Sequence, residues 1–486
     1  MTRLMLIGAF VLLHCHSAMT QAKTLRVPSE YTSIQSAIDA AEQGDTVLVD
    51  KGRYLERVVM KDGVTLKSAG DDAARKIGLL RAEQTIIDGS ASVKGAGVTM
   101  AEGSVLDGFT VTGVGQYDED KWRHHHATHG NEQSHEHIGA PGTPGIAVTS
   151  VNCIVRNNIV HHIGYTGIAI SGNENLDCSP LIVSNVCFRN MGGGIGSMKQ
   201  STATIRKNVC YENFYAGIGH DNASPLVGEN TCYGNIRAGI GISEGACPVV
   251  RGNKCYENRR AGIGVRTLET TRPIIVDNDC YENEMAGIGS EEDAAPTICR
   301  NRCYRNKLAG IGARTRSHPT IIENECYENA AAGIGQESDA VTILTGNYCH
   351  DNEAAGIGFA ECTNGQSTLT KNRVINNAKV AIGIHPGWNV TATRNELSRD
   401  GGIPPIVMIF AGSKASFVEN TIQGSGVACI RLAGELQAVH NNFVCPKPRN
   451  GGPPNIGIWA LKGSRLSQSD NTFEGWRNDV RTDEAK

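Results

Sequence analysis

The chain has 486 residues, of which 40% are apolar, 5% aromatic and 20% charged, with 57 Gly and 16 Cys. That apolar share excludes a disordered chain, and 46 Lys+Arg against 50 Asp+Glu leave a net charge of −4, which excludes a broad basic field for nucleic acid. Abundant Gly with few aromatics points to many tight turns rather than a helix bundle. In chain order, residues 1–22 come first. Met1-Thr2-Arg3, the apolar run Leu4 to Leu13 and Thr20-Gln21-Ala22 have the basic, apolar, small-residue order of a secretory signal, with cleavage expected after Ala22. The apolar run is far short of the ~20 residues of a membrane span, and no later segment is longer and as apolar. The expectation is a secreted or periplasmic protein with no membrane span. A lipid-modified Cys15 is the alternative, disfavoured by the preceding His14.

Residues 23–113 carry Val27-Pro28-Ser29-Glu30-Tyr31, then Ile34-Gln35-Ser36-Ala37-Ile38-Asp39-Ala40-Ala41, then Gly44-Asp45-Thr46-Val47-Leu48-Val49 and Gly52-Arg53-Tyr54. Leu106-Asp107-Gly108-Phe109-Thr110-Val111-Thr112-Gly113 closes that part. Residues 114–144 form an insertion holding Trp122, His124, His125, His126, His129, His135 and His137, six of the chain's 15 histidines. From 145 to 475 the pattern Asn-x-Cys-Tyr-x-Asn-x-x-Ala-Gly-Ile-Gly recurs, sharp in the middle and degenerate toward the ends, and 476–486 is a tail. The repeat cysteines Cys187, Cys210, Cys232, Cys255, Cys280, Cys303, Cys326 and Cys349 are separated by 23, 22, 23, 25, 23, 23 and 23 residues.

Each repeat holds three very short β-like runs, such as Pro319 to Ile322, Glu325-Cys326-Tyr327 and Ala332 to Gly335, with Asn324 and Asn329 between them. Asn tolerates the left-handed backbone of sharp corners, so these asparagines are expected to make the turns. No repeat leaves room for a ten-residue helix. One turn of chain per repeat, stacked at about 4.8 Å, predicts an all-β, single-stranded parallel β-helix of ~14 coils. Charge supports the register. Aligned on the cysteines, Lys254, Asp279, Arg302 and Glu325 form one row, Arg266, Glu291, Arg314 and Glu337 a second, and Asp277, Arg300 and Glu323 a third. Their signs alternate from coil to coil, as cross-strand pairing favours.

The N-terminal segments quoted above resemble the opening of right-handed parallel β-helix proteins of the pectate-lyase-like superfamily, and are similar to NosD-like members. The resemblance implies a short capping helix over Ile34 to Ala41. It implies no one activity, because the scaffold hosts lyases, hydrolases, epimerases, copper-site maturation proteins and non-catalytic modules.

Fifteen cysteines remain once Cys15 leaves with the signal. Alternation with Tyr places the repeat cysteines inward as core filler; vertical disulfides and a thiolate metal site are the alternatives, and Cys429 and Cys445 are a candidate pair. Chemistry is expected where the repeat breaks. His124, His125, His126, His129, His135 and His137, with His161 and His162 on the next coil, are candidate ligands for a Cu or Zn ion, since neutral imidazoles suit both. The alternatives are a solvated loop, or acid–base or sugar contact without metal. A second break is His220-Asp221, with Lys199 one coil before and Glu244 one coil after. An acid, a base and a cation on neighbouring coils could serve β-elimination or epimerisation of a uronate, as in a polysaccharide lyase or epimerase; chance polar residues on a turn are the bland reading. Trp388 is a candidate sugar platform or a cover for a coil edge. Three functions follow: a secreted protein that binds or modifies polysaccharide, a metal-binding accessory protein, and a structural or adhesive surface protein. Whether catalysis occurs, and the oligomeric state, stay open.

Overall fold

The computed structural model describes residues 21–130, 133, 142–174, 178–447 and 455–483. Most of the segment expected to be a secretory signal, together with His135 and His137, lies outside them. Each turn of chain delivers one short strand to each of three parallel sheets. Sheet A holds 18 strands from Thr24–Val27 to Arg465–Ser469, sheet B 17 from Gly52–Tyr54 to Thr472–Glu474, and sheet C 17 from Val58–Val59 to Asn478–Thr482. At about 4.8 Å per coil, 18 coils make a rod roughly 80 Å long. That is longer than the ~14 coils predicted, because the degenerate end copies are full turns and Asn478–Thr482, in the expected tail, pairs with Ile456–Ala460.

The register agrees with the charge rows. Asp279 faces Arg302 and Arg302 faces Glu325 across sheet B, with Arg302 Nε to Asp279 Oδ1 at 2.7 Å. Arg314 meets Glu291 at 2.5 Å, and Arg300 meets Asp277 at 2.9 Å. Each exposed pair contributes little alone, ~0.2–1 kcal/mol, but like charges at these positions would oppose stacking.

The corners differ from expectation. The left-handed residue is the one before each asparagine: Glu323 and Glu328 both have φ 52°, as do their counterparts Arg300 (φ 52°) and Arg305 (φ 53°). The asparagines point inward, fully buried. Asn301 Nδ2 donates to Ile275 O at 3.0 Å, Cys299 O at 3.1 Å and Asn324 Oδ1 at 2.9 Å. Its Oδ1 accepts from the backbone and side-chain amides of Asn278. The same ladder runs from Asn158 to Asn471, and a second runs from Asn190 to Asn377 at the next corner. These buried amides satisfy backbone carbonyls that the sharp turns would otherwise strand.

The repeat cysteines form a buried column, as expected, and the fifteen described cysteines, Cys429 and Cys445 included, are free thiols. Burial holds Cys210, Cys280 and Cys303 well above the usual thiol range. On the outside of sheet B the residues after them stack face to face, from Phe188 through six tyrosines to His350, with centroids 4.8–5.1 Å apart. Ring faces in this ladder are spent on one another, so a sugar ring would meet only edges.

At the start of the chain, helix α1 (Ile34–Ala40) buries Ile34, Ala37 and Ile38, and Ser33 Oγ caps it by accepting from the Ser36 amide. Glu56 also accepts from the Ile34 and Gln35 amides. The insertion contains a longer helix, Glu119–Ala127, capped by Asp118. It packs on coils well beyond its own: Trp122 joins Phe214 and Ile236 in a small cluster, and Trp122 Nε1 donates to Glu212 O at 2.8 Å. No helix among the described residues is long and apolar enough to cross a membrane.

Candidate functional site

The Gly-Ile-Gly element contains two glycines with opposite reasons for existing. The first is dictated by packing. A Cβ on Gly310 would lie 2.8 Å from Gly333 O, 2.9 Å from Asn329 Nδ2 and 3.0 Å from Cys326 Cβ, and the same holds along its column. The second glycine faces outward from sheet C. A Cβ on Gly219 would meet nothing within 4 Å, and one on Gly264 only Ala238 Cβ at an ordinary 3.6 Å. Neither has a positive φ. In a strand, Gly weakens the element and often marks a bulge, a bend or a place where a ligand or another backbone approaches closely, and here the strands are regular and the outer face is open.

This outer column starts where Gly196 pairs with Ala169 and ends where Gly383 pairs with Met408, so side chains begin again at both ends. Between them lie nine glycines, flanked on successive coils by Ala216, Ala238, Ala261, Ala286 and their successors. The result is a straight groove of about 860 Å³ with a bare floor. One wall carries Tyr215, Arg237, Arg260, Met285 and Leu308; the other carries Asp221, Arg266, Glu291, Arg314 and Glu337.

Charge in the groove is uneven. Burial, then the guanidiniums of Arg260 and Arg266, pull Arg237 down to about 10, and burial likewise lowers Arg260, opposed by the Glu291 carboxylate and reinforced by Arg266 and Arg314. Cations crowded in this way, each disfavouring its neighbours, favour an anion between them. The insertion holds them in place. Arg237 Nε donates to Gln133 Oε1 at 2.8 Å and Nη2 to Gln133 O at 3.2 Å, while Arg260 Nη2 donates to Gly130 O at 2.9 Å. Neither arginine was singled out in the sequence. The signal was the variable position before Ala-Gly-Ile-Gly, which reads Tyr215, Arg237, Arg260, Met285, Leu308 along the chain.

The four residues predicted for acid–base work are not brought to one point. His220 faces inward, 3% exposed, between Ser197 and Ile242, and burial takes it down to about 3. It is therefore a neutral core imidazole. The sheet C strand here runs Ile218–Asp221, and strand alternation that points Ile218 inward also points His220 inward. Asp221 does reach the groove, where burial and the nearby Glu244 raise its carboxyl. Glu244, at an exposed left-handed corner (φ 55°), lines the groove with Asp221, whereas Lys199, at another such corner (φ 53°), does not line it. Trp388 is a core residue, 1% exposed, whose Nε1 donates to Ala360 O, so it presents no platform.

The buried His220 has a measurable consequence. His220→Ile, the residue of the next coil, is expected to raise the melting temperature, because neither ring nitrogen has a hydrogen-bond partner among the described residues. Its folded pKa lies below the ordinary 6.5, so the unfolded chain takes up a proton that the native one refuses. Stability should fall as pH drops from about 6.5 toward about 3, by about 1.4 kcal/mol per pH unit for this one proton. Urea titrations between pH 7 and pH 4 should show a shallower loss in the variant; parallel curves would mean that His220 takes up its proton equally in the folded and the unfolded chain.

The histidines considered as metal ligands are spread along the insertion. His126 stacks on Trp122 at 4.7 Å and lies 3.0 Å from Arg259, His125 meets Phe214 edge-on, and His129 Nδ1 is 3.6 Å from Glu284. His124 contacts His125. His161 and His162 bring their Nδ1 atoms to 2.8 Å, and burial takes His161 down to about 4 and lowers His162. His162 also packs on Tyr117 of the insertion, so the two breaks in the repeat do meet. Among the described residues no group of three or more His, Cys, Asp and Glu is placed to hold a metal ion. His135 and His137 lie outside the described residues.

Comparison with known proteins gives one family. The model described as "Right handed beta helix region" matches residues 220–317 and 292–473. No curated protein sequence matches the chain. Among solved structures, the A-module of the mannuronan C-5 epimerase AlgE6 of Azotobacter vinelandii is 15% identical, with 93% of this chain and 95% of that one covered and a TM-score of 0.38. A double mutant of the periplasmic alginate epimerase AlgG is 12% identical over 76% of this chain and 83% of that one, TM-score 0.42. The pre-mature gene product 12 of bacteriophage phi29 is 11% identical over 92% and 72%, TM-score 0.48.

Proposed function

The chain belongs to the right-handed β-helix family, and on that premise we propose that it binds polysaccharide, seating an extended, unbranched anionic glycan along the sheet C groove. The observation that carries this reading is the outer glycine column. Six of the nine positions, Gly219, Gly241, Gly264, Gly289, Gly312 and Gly358, forgo a side chain that neither backbone conformation nor packing forbids, and in doing so clear a track for a linear chain. The crowded guanidiniums of Arg237, Arg260 and Arg266 on that track supply the preference for carboxylates. Uronate lyase or epimerase chemistry would place Asp221 nearest the bound chain, without His220. Residues 1–22, if they act as a secretory signal, would bring the protein to such polymers.

Affinity electrophoresis through gels containing neutral or uronate-rich polysaccharides tests the proposal. Retardation is expected in the uronate gels, weakening as salt rises. Arg237→Gln should reduce it. Release of unsaturated or reducing ends from the same panel would show turnover. Unchanged mobility in every gel would refute the reading.

A further inference from the structure

Resting on the glycan reading above, we infer that the ligand is an O-acylated polyuronate, with carboxylates beside Arg237, Arg260 and Arg266 and ester-linked acyl groups against Met285 and Leu308. The first wall changes character abruptly. After Arg260 it continues as Met285, Leu308, Ala331 and Ala354, with no polar side chain until Lys379. Leu308 is 46% exposed, an apolar side chain held in water at the lip of the groove.

The floor beneath offers a sugar hydroxyl nothing to bond. Its strands are paired in parallel from coil to coil, Gly289 opposite Gly312 and Gly312 opposite Gly335, so their amides and carbonyls are consumed, as in Ile311 N–H to Gly333 O at 3.0 Å. Across the groove Arg314 is engaged by Glu291 at 2.5 Å and approached by Glu337 at 4.0 Å. A free hydroxyl pressed against Met285 and Leu308 would lose its water without replacement. Esterification removes that donor and adds a methyl group that the wall can cover. The cationic coils and the apolar coils are consecutive, so one chain lying straight meets both.

The test uses an O-acetylated polyuronate and the same sample after mild alkaline deacetylation, titrated calorimetrically into the full-length protein. The acetylated form should bind on the order of tenfold more tightly, the effect of about two buried methyl groups. Leu308→Asn, at a surface position, should bring that ratio close to one, whereas Arg260→Gln should weaken both polymers and keep the ratio. Equal affinity for the two polymers, or a ratio that survives Leu308→Asn, would overturn the acyl assignment and leave the glycan reading standing. Binding of neither polymer would overturn both.

Discussion

Gly264→Leu combined with Gly289→Leu is expected to abolish retention of anionic polysaccharide while leaving the melting temperature within a few degrees of the wild type. The new Cβ atoms would sit 3.6 Å from Ala238 Cβ and 3.9 Å from Ala261 Cβ, ordinary contacts, at positions without positive φ. Leucine also suits a strand better than glycine does, so the fold loses nothing locally. The groove, in contrast, loses its floor over two adjacent coils, since Gly264 and Gly289 are register partners. The control lies two residues earlier. Gly287→Ala would drive a Cβ to 2.7 Å from Gly310 O and 2.9 Å from Asn306 Nδ2, and overpacking of that kind costs roughly 1–3 kcal/mol. Melting curves beside gel mobilities separate the cases. A double leucine variant that still binds would move the site elsewhere on the rod.

The second large effect is on stability. Asn301→Leu should destabilise the protein by roughly 3–6 kcal/mol, because it strands several buried groups at about 1–3 kcal/mol each. Ile275 O and Cys299 O lose a donor, the Asn278 amides lose an acceptor, and Asn324 Oδ1 loses one of its donors. Asn301→Asp repairs only half of this, since a carboxylate accepts from Asn278 but sets oxygen against Ile275 O and Asn324 Oδ1. Because each coil of a solenoid touches only its neighbours, the damage should be local. Amide hydrogen exchange should rise first in the coils around residues 275–330 and last at α1. A loss below about 1 kcal/mol would mean that the ladder is not the principal support of the corner.

Much of the architecture was readable because a stacked repeat turns a one-dimensional period into vertical neighbours. Cysteine spacing predicted the column from Cys187 to Cys349, and alternating signs predicted that Arg302 would lie against Asp279. The insertion was visible as an interruption of that period, and its contact with His162 followed from adjacency.

What the period did not carry was the phase of side chains within a coil and the reach of the insertion. One residue of phase decides inside from outside in a strand. For that reason His220 and Trp388, which look like surface chemistry in a linear reading, are core residues, and the corner asparagines brace the turns from within while Glu323 and Glu328 take the left-handed backbone. The two glycines of each Gly-Ile-Gly are identical as letters and separable only by what a methyl group would strike. Arg237 and Arg260 became neighbouring cations on one wall of the groove only when Gln133 and Gly130, 104 and 130 residues away in sequence, were found holding them. Repetition along the chain sets which residues are stacked; three-dimensional packing alone sets which of them face the groove, because burial and long-range hydrogen bonds have no fixed spacing in sequence.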